Sequence, residues 1–115
     1  MKTRRGDVAL VLFPNSDLRT AKRRPVLVLQ RDVLGTGLGQ TIVAMISSNP
    51  ARGSHPSRVP IPLASPAGKE SGLRLDSWLM TDNIATVLDS EIDSILGRLN
   101  DMSPVETALK HTLDL

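Results

Sequence analysis

Val8-Ala9-Leu10-Val11-Leu12-Phe13, ended by Pro14-Asn15-Ser16-Asp17, is the stretch whose reading decides the fold class. The run is compact, apolar and β-branched, and turn-forming residues close it, so it reads as a strand over 8–13. Moving outward, residues 17–24 are polar and basic and read as a loop. A second strand follows over 26–29, opened by Pro25, since proline at the first position of a strand removes no interior ladder bond. Gly35, Gly37 and Gly39 mark a turn before a third strand over 41–47. Asn49 to Ser57 contains Pro50, Gly53 and Pro56 and reads as another loop. Val59, Ile61 and Leu63 alternate with Pro60 and Pro62, a pattern compatible only with an edge or irregular strand. A Pro/Gly/Ser loop runs to Gly72. Further strands are expected over 78–81, 84–88 and, with a weaker signal, 95–99.

One helix is well marked. Ser103-Pro104-Val105-Glu106 has the form of a capping box with proline at the first helical position. Val105, Ala108, Leu109, Thr112 and Leu113 then fall on one face at helical spacing. So short a helix must pack that face on the body of the protein or on a second subunit. Six or seven short strands with one terminal helix imply a mainly β protein. Its small, strongly bent sheet is expected to close as a barrel, in one domain spanning 1–115.

Composition narrows the function. Cysteine is absent, which excludes disulfides and thiolate metal sites. The two histidines, His55 and His111, are too few for a zinc or iron site, whereas a carboxylate site for magnesium stays open on composition alone. The longest apolar run is far short of a membrane span, and no apolar stretch follows the N-terminal charges as in a signal peptide. A soluble, cytoplasmic protein is the expectation. Charge is sorted along the chain: residues 1–60 carry ten Lys/Arg and three Asp/Glu, and residues 61–115 carry four and nine. Such sorting fits a face for a polyanion, with a solvated surface as the alternative. Phe13 and Trp78 are the only aromatics, so a multi-ring stacking platform for bases is unavailable. Trp78 is expected in the barrel core or at a subunit contact.

Three blocks resemble the MazF/PemK toxins in order and spacing: Arg5-Gly6-Asp7-Val8 through Phe13-Pro14, then Lys22-Arg23-Arg24-Pro25-Val26-Leu27-Val28-Leu29, then Val43-Ala44-Met45-Ile46-Ser47-Ser48. A looser similarity continues through Asp82-Asn83-Ile84-Ala85-Thr86-Val87 and Leu96-Gly97-Arg98-Leu99. The arginine pair before proline is the most specific piece. The resemblance implies an SH3-like small β-barrel of the CcdB/MazF kind with a C-terminal helix. It also implies a homodimer and a sequence-specific endoribonuclease, an mRNA interferase that cuts single-stranded RNA without metal or other cofactor. A cognate antitoxin with an acidic, disordered tail would silence it. Products would carry 2′,3′-cyclic phosphate and 5′-hydroxyl ends.

Metal-free cleavage by the ribose 2′-OH needs a base, an acid for the leaving oxygen and donors for the charged phosphorane. By resemblance, Arg24 is the leading catalytic residue. Its guanidinium offers a fixed fork of donors for phosphate oxygens, and its high intrinsic pKa makes charge stabilisation a firmer role than proton transfer. Ser47 stands where the family has threonine, keeping the hydroxyl and losing a methyl. A strand-end serine making a turn bond is the plain alternative. Ser48 would point to the opposite side of the strand and is expected among the RNA-binding residues. Asp82 stands where family members carry an acid, and it could orient Arg24, accept the 2′-OH proton, or be a surface carboxylate. Met80 stands where one branch has arginine, and the loop between Asn15 and Lys22 lacks the histidine of another. Arg19, Lys22 and Arg23 crowd the loop before Arg24. Arg52, His55 and Arg58 flank the loop after Ser47, and both loops are expected to line an RNA site at one end of the barrel. An exposed loop histidine such as His55 carries no chemistry by itself. Two other readings remain: a CcdB-like gyrase poison, whose activity resembles one carried by a C-terminal tryptophan whereas this chain ends Leu113-Asp114-Leu115, and an RNA-binding barrel without activity.

Overall fold

The computed structural model describes residues 2–15 and 17–115, so Ser16 of the expected first turn lies outside the described residues. Six antiparallel strands make one sheet: β1 Asp7–Pro14, β2 Ala21–Val28, β3 Gln40–Ser47, β4 Arg58–Ile61, β5 Ser77–Leu88 and β6 Ile92–Arg98. A short helix α1, Pro66–Ser71, lies between β4 and β5, and α2, Ser103–Leu113, follows β6. Strand order is β4-β5-β3-β2-β1-β6. The mainly β class and the C-terminal helix are as expected. The closure is not: β4 and β6 are the two edges of an open sheet and do not pair with each other. The backbone of α1 lies against β6 instead. A Cβ built on Gly97 would sit 2.4 Å from the carbonyl oxygen of Glu70. A helix laid along an edge strand protects it much as another strand would.

Apolar side chains are buried on both faces of the bent sheet, which is why β1 reads as a continuous apolar run. Val8, Leu27, Ala44, Ile46 and Leu79 pack with Val59 and Ile61 of β4 and with Val105 and Ala108 of α2. On the other face Ala9, Val11, Phe13, Val26, Val28, Val43, Met45 and Met80 pack together. Successive strand residues point to opposite faces, so one strand feeds both cores.

Several local expectations change. Residues 21–24 are strand, not loop: Val11 pairs with Arg24, Leu12 with Arg23 and Phe13 with Lys22. The ladder offered by β1 outweighs the polar composition. Pro25 is therefore inside β2, and it is tolerated because β3 pairs with β2 only from Val26 onward. The two strand candidates over 78–88 are one strand with a bulge. Met45 pairs with Met80 but Ala44 pairs with Ile84, leaving residues 81–83 extra. The stretch before Gly72 contains a helix, α1. Its signal was Ser65-Pro66 with Gly72: the Ser65 hydroxyl accepts from the Gly68 N–H at 3.0 Å, and Gly72 ends the helix in the left-handed region. Pro60 does lie on an edge strand, β4.

The capping box of α2 does not form. Met102 is the N-cap, and the Asp101 carboxylate accepts the Ser103 N–H at 3.0 Å. The Glu106 side chain turns outward to Arg5 at 3.5 Å. The apolar face of α2 is largely used within the chain: Val105 and Ala108 are buried, Leu109 packs on the core, and only Leu113 stays exposed.

Candidate functional site: a basic depression at one end of the sheet

Arg24 is carried by β2 opposite Val11. The β2–β3 ladder ends at Val26 and Met45, and Arg24 and Ser47 each lie two residues beyond it on these neighbouring strands. Residues two apart on a strand share a face, so Arg24 lies on the side of Val26 and Ser47 on the side of Met45, which is the same side of the sheet. Ser47 in turn pairs with Trp78, and Trp78 with Pro60. One cross-strand row runs Ser47, Trp78, Pro60, and Arg24, paired with Val11, lies on the same side.

Arg24 is half-buried, and its Nη2 donates to the Asn15 side-chain oxygen at 2.8 Å. Its Nε is buried and has no acceptor among the described residues. Asn15 is itself fixed. Its amide nitrogen donates to the Thr20 hydroxyl at 2.9 Å, and its N–H donates to the Thr20 carbonyl at 2.9 Å. The Asp17 carboxylate closes the loop by accepting the N–H groups of Arg19 and Thr20. Those backbone donors, Arg19 first, hold the Asp17 carboxyl below the ordinary carboxylate range. Arg24 is thus aimed by a small hydrogen-bonded loop, not merely preceded by a basic connector.

The Ser47 Oγ accepts the Asn49 N–H at 3.2 Å, the turn bond expected of a strand-end serine. Its own hydrogen remains available to a ligand. Around Arg24 and Ser47 lies an open depression of about 450 Å³, to which Lys22, Arg23, Ser48 and Arg74 also contribute. Arg74 was missed by sequence reading. It comes from the loop after α1, and only the path of that unforeseen helix brings it here. Arg23 is ion-paired to Asp93 of β6 on the exposed surface. Arg19 is exposed on the β1–β2 loop and does not line the depression.

The other predicted residues form a second group. Asp82 does not orient Arg24. The Arg58 Nε and Nη2 donate to its two carboxylate oxygens at 2.8 and 2.7 Å, while Nη1 donates to the Arg52 carbonyl at 2.7 Å. The bulge at residues 81–83 turns the carboxylate toward β4, which is the physical reason for the departure. Hydrogen bonding to Arg58, the larger cause, outweighs desolvation and holds the Asp82 carboxyl below the ordinary range. The same bond raises Arg58 above the ordinary arginine value. An ionised, doubly hydrogen-bonded carboxylate is a weak base. The His55 Nδ1 accepts the Ser57 N–H at 3.1 Å, and its ring meets His111 edge-on with centroids 6.0 Å apart. Arg52, His55, Arg58 and Asp82 all lie outside the Arg24–Ser47 depression. Trp78 is half-buried and belongs to neither core, so of its two expected places, core or subunit contact, it does not take the first.

No group of three or more His, Asp or Glu side chains among the described residues could hold a metal ion, and no helix is long and apolar enough to cross a membrane. Residues 4–113 match the family described as PemK-like, MazF-like toxin of type II toxin-antitoxin system. A curated relative, Endoribonuclease MazF6 of Mycobacterium tuberculosis (strain ATCC 25618 / H37Rv), is 33% identical over 107 residues, covering 90% of each chain. Endoribonuclease MazF2 of Mycobacterium bovis is similar to the same extent. Among solved structures, the Mycobacterium tuberculosis toxin MazF-mt6 superposes with a TM-score of 0.70 at 23% identity, over 93% of this chain and 97% of that one. An endoribonuclease in complex with its cognate antitoxin, from Mycobacterial species, gives 0.74 at 20% identity, over 98% and 96%. At these identities the structural likenesses speak to the fold.

Proposed function

The chain belongs to the PemK-like, MazF-like toxins of type II toxin–antitoxin systems, and from that premise we propose that it is an endoribonuclease whose scissile phosphate sits between Arg24 and Ser47. One observation carries the site: a half-buried guanidinium, aimed by Asn15, shares a basic depression with a strand-end hydroxyl, and its Nε–H has no acceptor among the described residues. An unsatisfied buried donor costs about 1–3 kcal/mol. A phosphate oxygen reaching Nε–H would remove that cost and gain a charge-assisted bond.

The reaction follows from these groups. The ribose 2′-oxygen attacks phosphorus as its proton departs, and the bond to the 5′-oxygen breaks as that oxygen gains a proton. A 2′,3′-cyclic phosphate and a 5′-hydroxyl remain. Charge builds on the non-bridging oxygens of the phosphorane, where Arg24 donates and the Ser47 hydroxyl can add a second bond. Asp82, committed to Arg58, organises the β4–β5 bulge in this reading. The substrate is single-stranded RNA, read at a short sequence, with mRNA in the cytoplasm as the target. The endoribonuclease relatives favour this reading over a gyrase poison or an inactive barrel.

Cleavage of an unstructured RNA is expected to persist in excess EDTA and to leave cyclic phosphate ends. The motivation is a donor set of guanidinium and hydroxyl, with no convergent carboxylates or histidines among the described residues. Activity abolished by chelator and restored by magnesium would overturn the metal-free chemistry.

Lys22, Arg23, Arg24 and Arg74 supply the charge at the depression. If about three or four of them meet phosphates, affinity for an uncleavable RNA should fall with salt along a log–log slope of about −2 to −3. Lys22→Glu should weaken all sequences alike. A slope near zero, or an altered cleavage sequence at unchanged affinity, would contradict a phosphate-binding role.

A cognate antitoxin is the expected partner, as in the structural neighbour solved with its own. An acidic tail, disordered when free, would compete with RNA for the same basic groups. The active form is proposed to be a homodimer. Its apolar surface cannot be the α2 stripe, which the chain uses itself. Ile42 and Ile84, 36% and 38% exposed, and Leu88 share one face of the β3–β5 pair and offer a replacement.

A further inference from the structure

We propose that Trp78 stacks on the base next to the scissile phosphate and thereby contributes to the choice of cleavage sequence. The inference rests on the assignment of Arg24 and Ser47 to that phosphate. Ser47 pairs directly with Trp78, so arginine, hydroxyl and indole occupy three neighbouring strands on one face. Strands lie about 4.8 Å apart, so the backbones of the Arg24 and Trp78 strands, two apart in the sheet, are separated by about 10 Å. That is within reach of a base whose phosphate is held by Arg24 and Ser47.

The indole is placed as a binding group and not as a core group. Phe13, the other aromatic of the FWY class, is 1% exposed, whereas Trp78 is only partly buried and outside both cores. Its nitrogen edge is tucked under the turn after β3. A Cβ added to Gly53 would lie 2.9 Å from the indole Nε1. Glycine there lets the backbone of the turn close on the ring edge and fix its plane. The row continues to Pro60 on β4, a second flat apolar surface. Beyond it on the same face, Arg58 pairs with Met80 and carries the forked bond to Asp82. A phosphate-binding pair, a fixed ring and a hydrogen-bonding rim thus follow one another across the sheet. One ring cannot form a platform for several bases, but it can hold one. Stacking is tolerant of base identity by itself, so selectivity would come from the rim and turn that frame the ring.

The test uses a property of this sequence: Trp78 is the only tryptophan and tyrosine is absent, so intrinsic emission reports on this ring alone. The full chain is titrated with an end-labelled RNA made uncleavable by 2′-O-methylation, and RNA anisotropy and protein emission are followed together. Binding is expected to quench the emission and to shield the ring from acrylamide. An abasic nucleotide at one position beside the cleaved bond should abolish the quench, and abasic nucleotides elsewhere should not. Trp78→Leu should raise KM roughly tenfold or more with kcat little changed, and Trp78→Phe should recover much of the loss. RNA that binds without altering the emission overturns the stacking and leaves the nuclease reading intact. So does a quench that survives every abasic position. RNA that neither binds nor is cut removes the nuclease reading, and this inference with it.

Discussion

Arg24→Ala is expected to lower the single-turnover cleavage rate by ~100-fold or more, the usual effect of deleting a transition-state donor. The side chain is half-buried and held by Asn15 at 2.8 Å, so its donors are aimed before substrate arrives and need little reorganisation during reaction. The deletion should leave the fold intact, because Arg24 belongs to neither buried cluster. Matching circular dichroism and melting curves for the two proteins would establish that. Arg24→Lys should recover little, since an ammonium keeps the charge and loses the planar fork. Ser47→Ala should cost less, because water can replace one hydroxyl donor. Asn15→Ala should fall between wild type and Arg24→Ala, since it frees the guanidinium without removing it. Full activity in Arg24→Ala would displace the catalytic centre from this depression.

Gly72→Ala is expected to destabilise the protein by about 3 kcal/mol or more, through a forced backbone shift added to left-handed strain. Gly72 has φ +74°, and a Cβ there would lie 2.0 Å from the Leu96 carbonyl oxygen. Neither atom can yield by rotating a side chain. The contact is where the end of α1 meets β6, the element that covers the open edge of the sheet. Gly37→Ala is the control. It has φ +75° but no atom within 4 Å of the added Cβ, so only the backbone strain of about 1–2 kcal/mol applies. Urea unfolding of both variants separates the two costs. Equal midpoints would mean that the α1–β6 contact is not tight.

The sequence was informative where the signal is local. The apolar run of β1 and the turn formers around it establish β structure without any long-range information, and Pro60 announces an edge strand by its missing donor. Arg24 and Ser47 stand out as candidates in the sequence because their residue types suit phosphate chemistry and their flanking blocks resemble known toxins. The sorting of basic residues into the first half pointed to a polyanion partner. The helix α1 could have been found from Ser65, Pro66 and Gly72, but a segment rich in such residues reads equally well as a loop.

What tertiary structure alone decided is which distant segments meet. Residues 21–24 are strand because β1 supplies their ladder, a pairing that polar composition conceals. The stripe on α2 is amphipathic in either case, and only packing assigns it to the chain's own core and not to a second subunit. A bulge of three residues sends Asp82 to Arg58, and the path of α1 delivers Arg74 to the depression. The β2–β3 and β3–β5 registers put Trp78 on the same face as Arg24 and Ser47. A shift of one residue in either register would turn those side chains to opposite faces. Register is fixed by the burial of apolar side chains on both faces of the sheet, so the relation among these three residues exists only once both cores have formed.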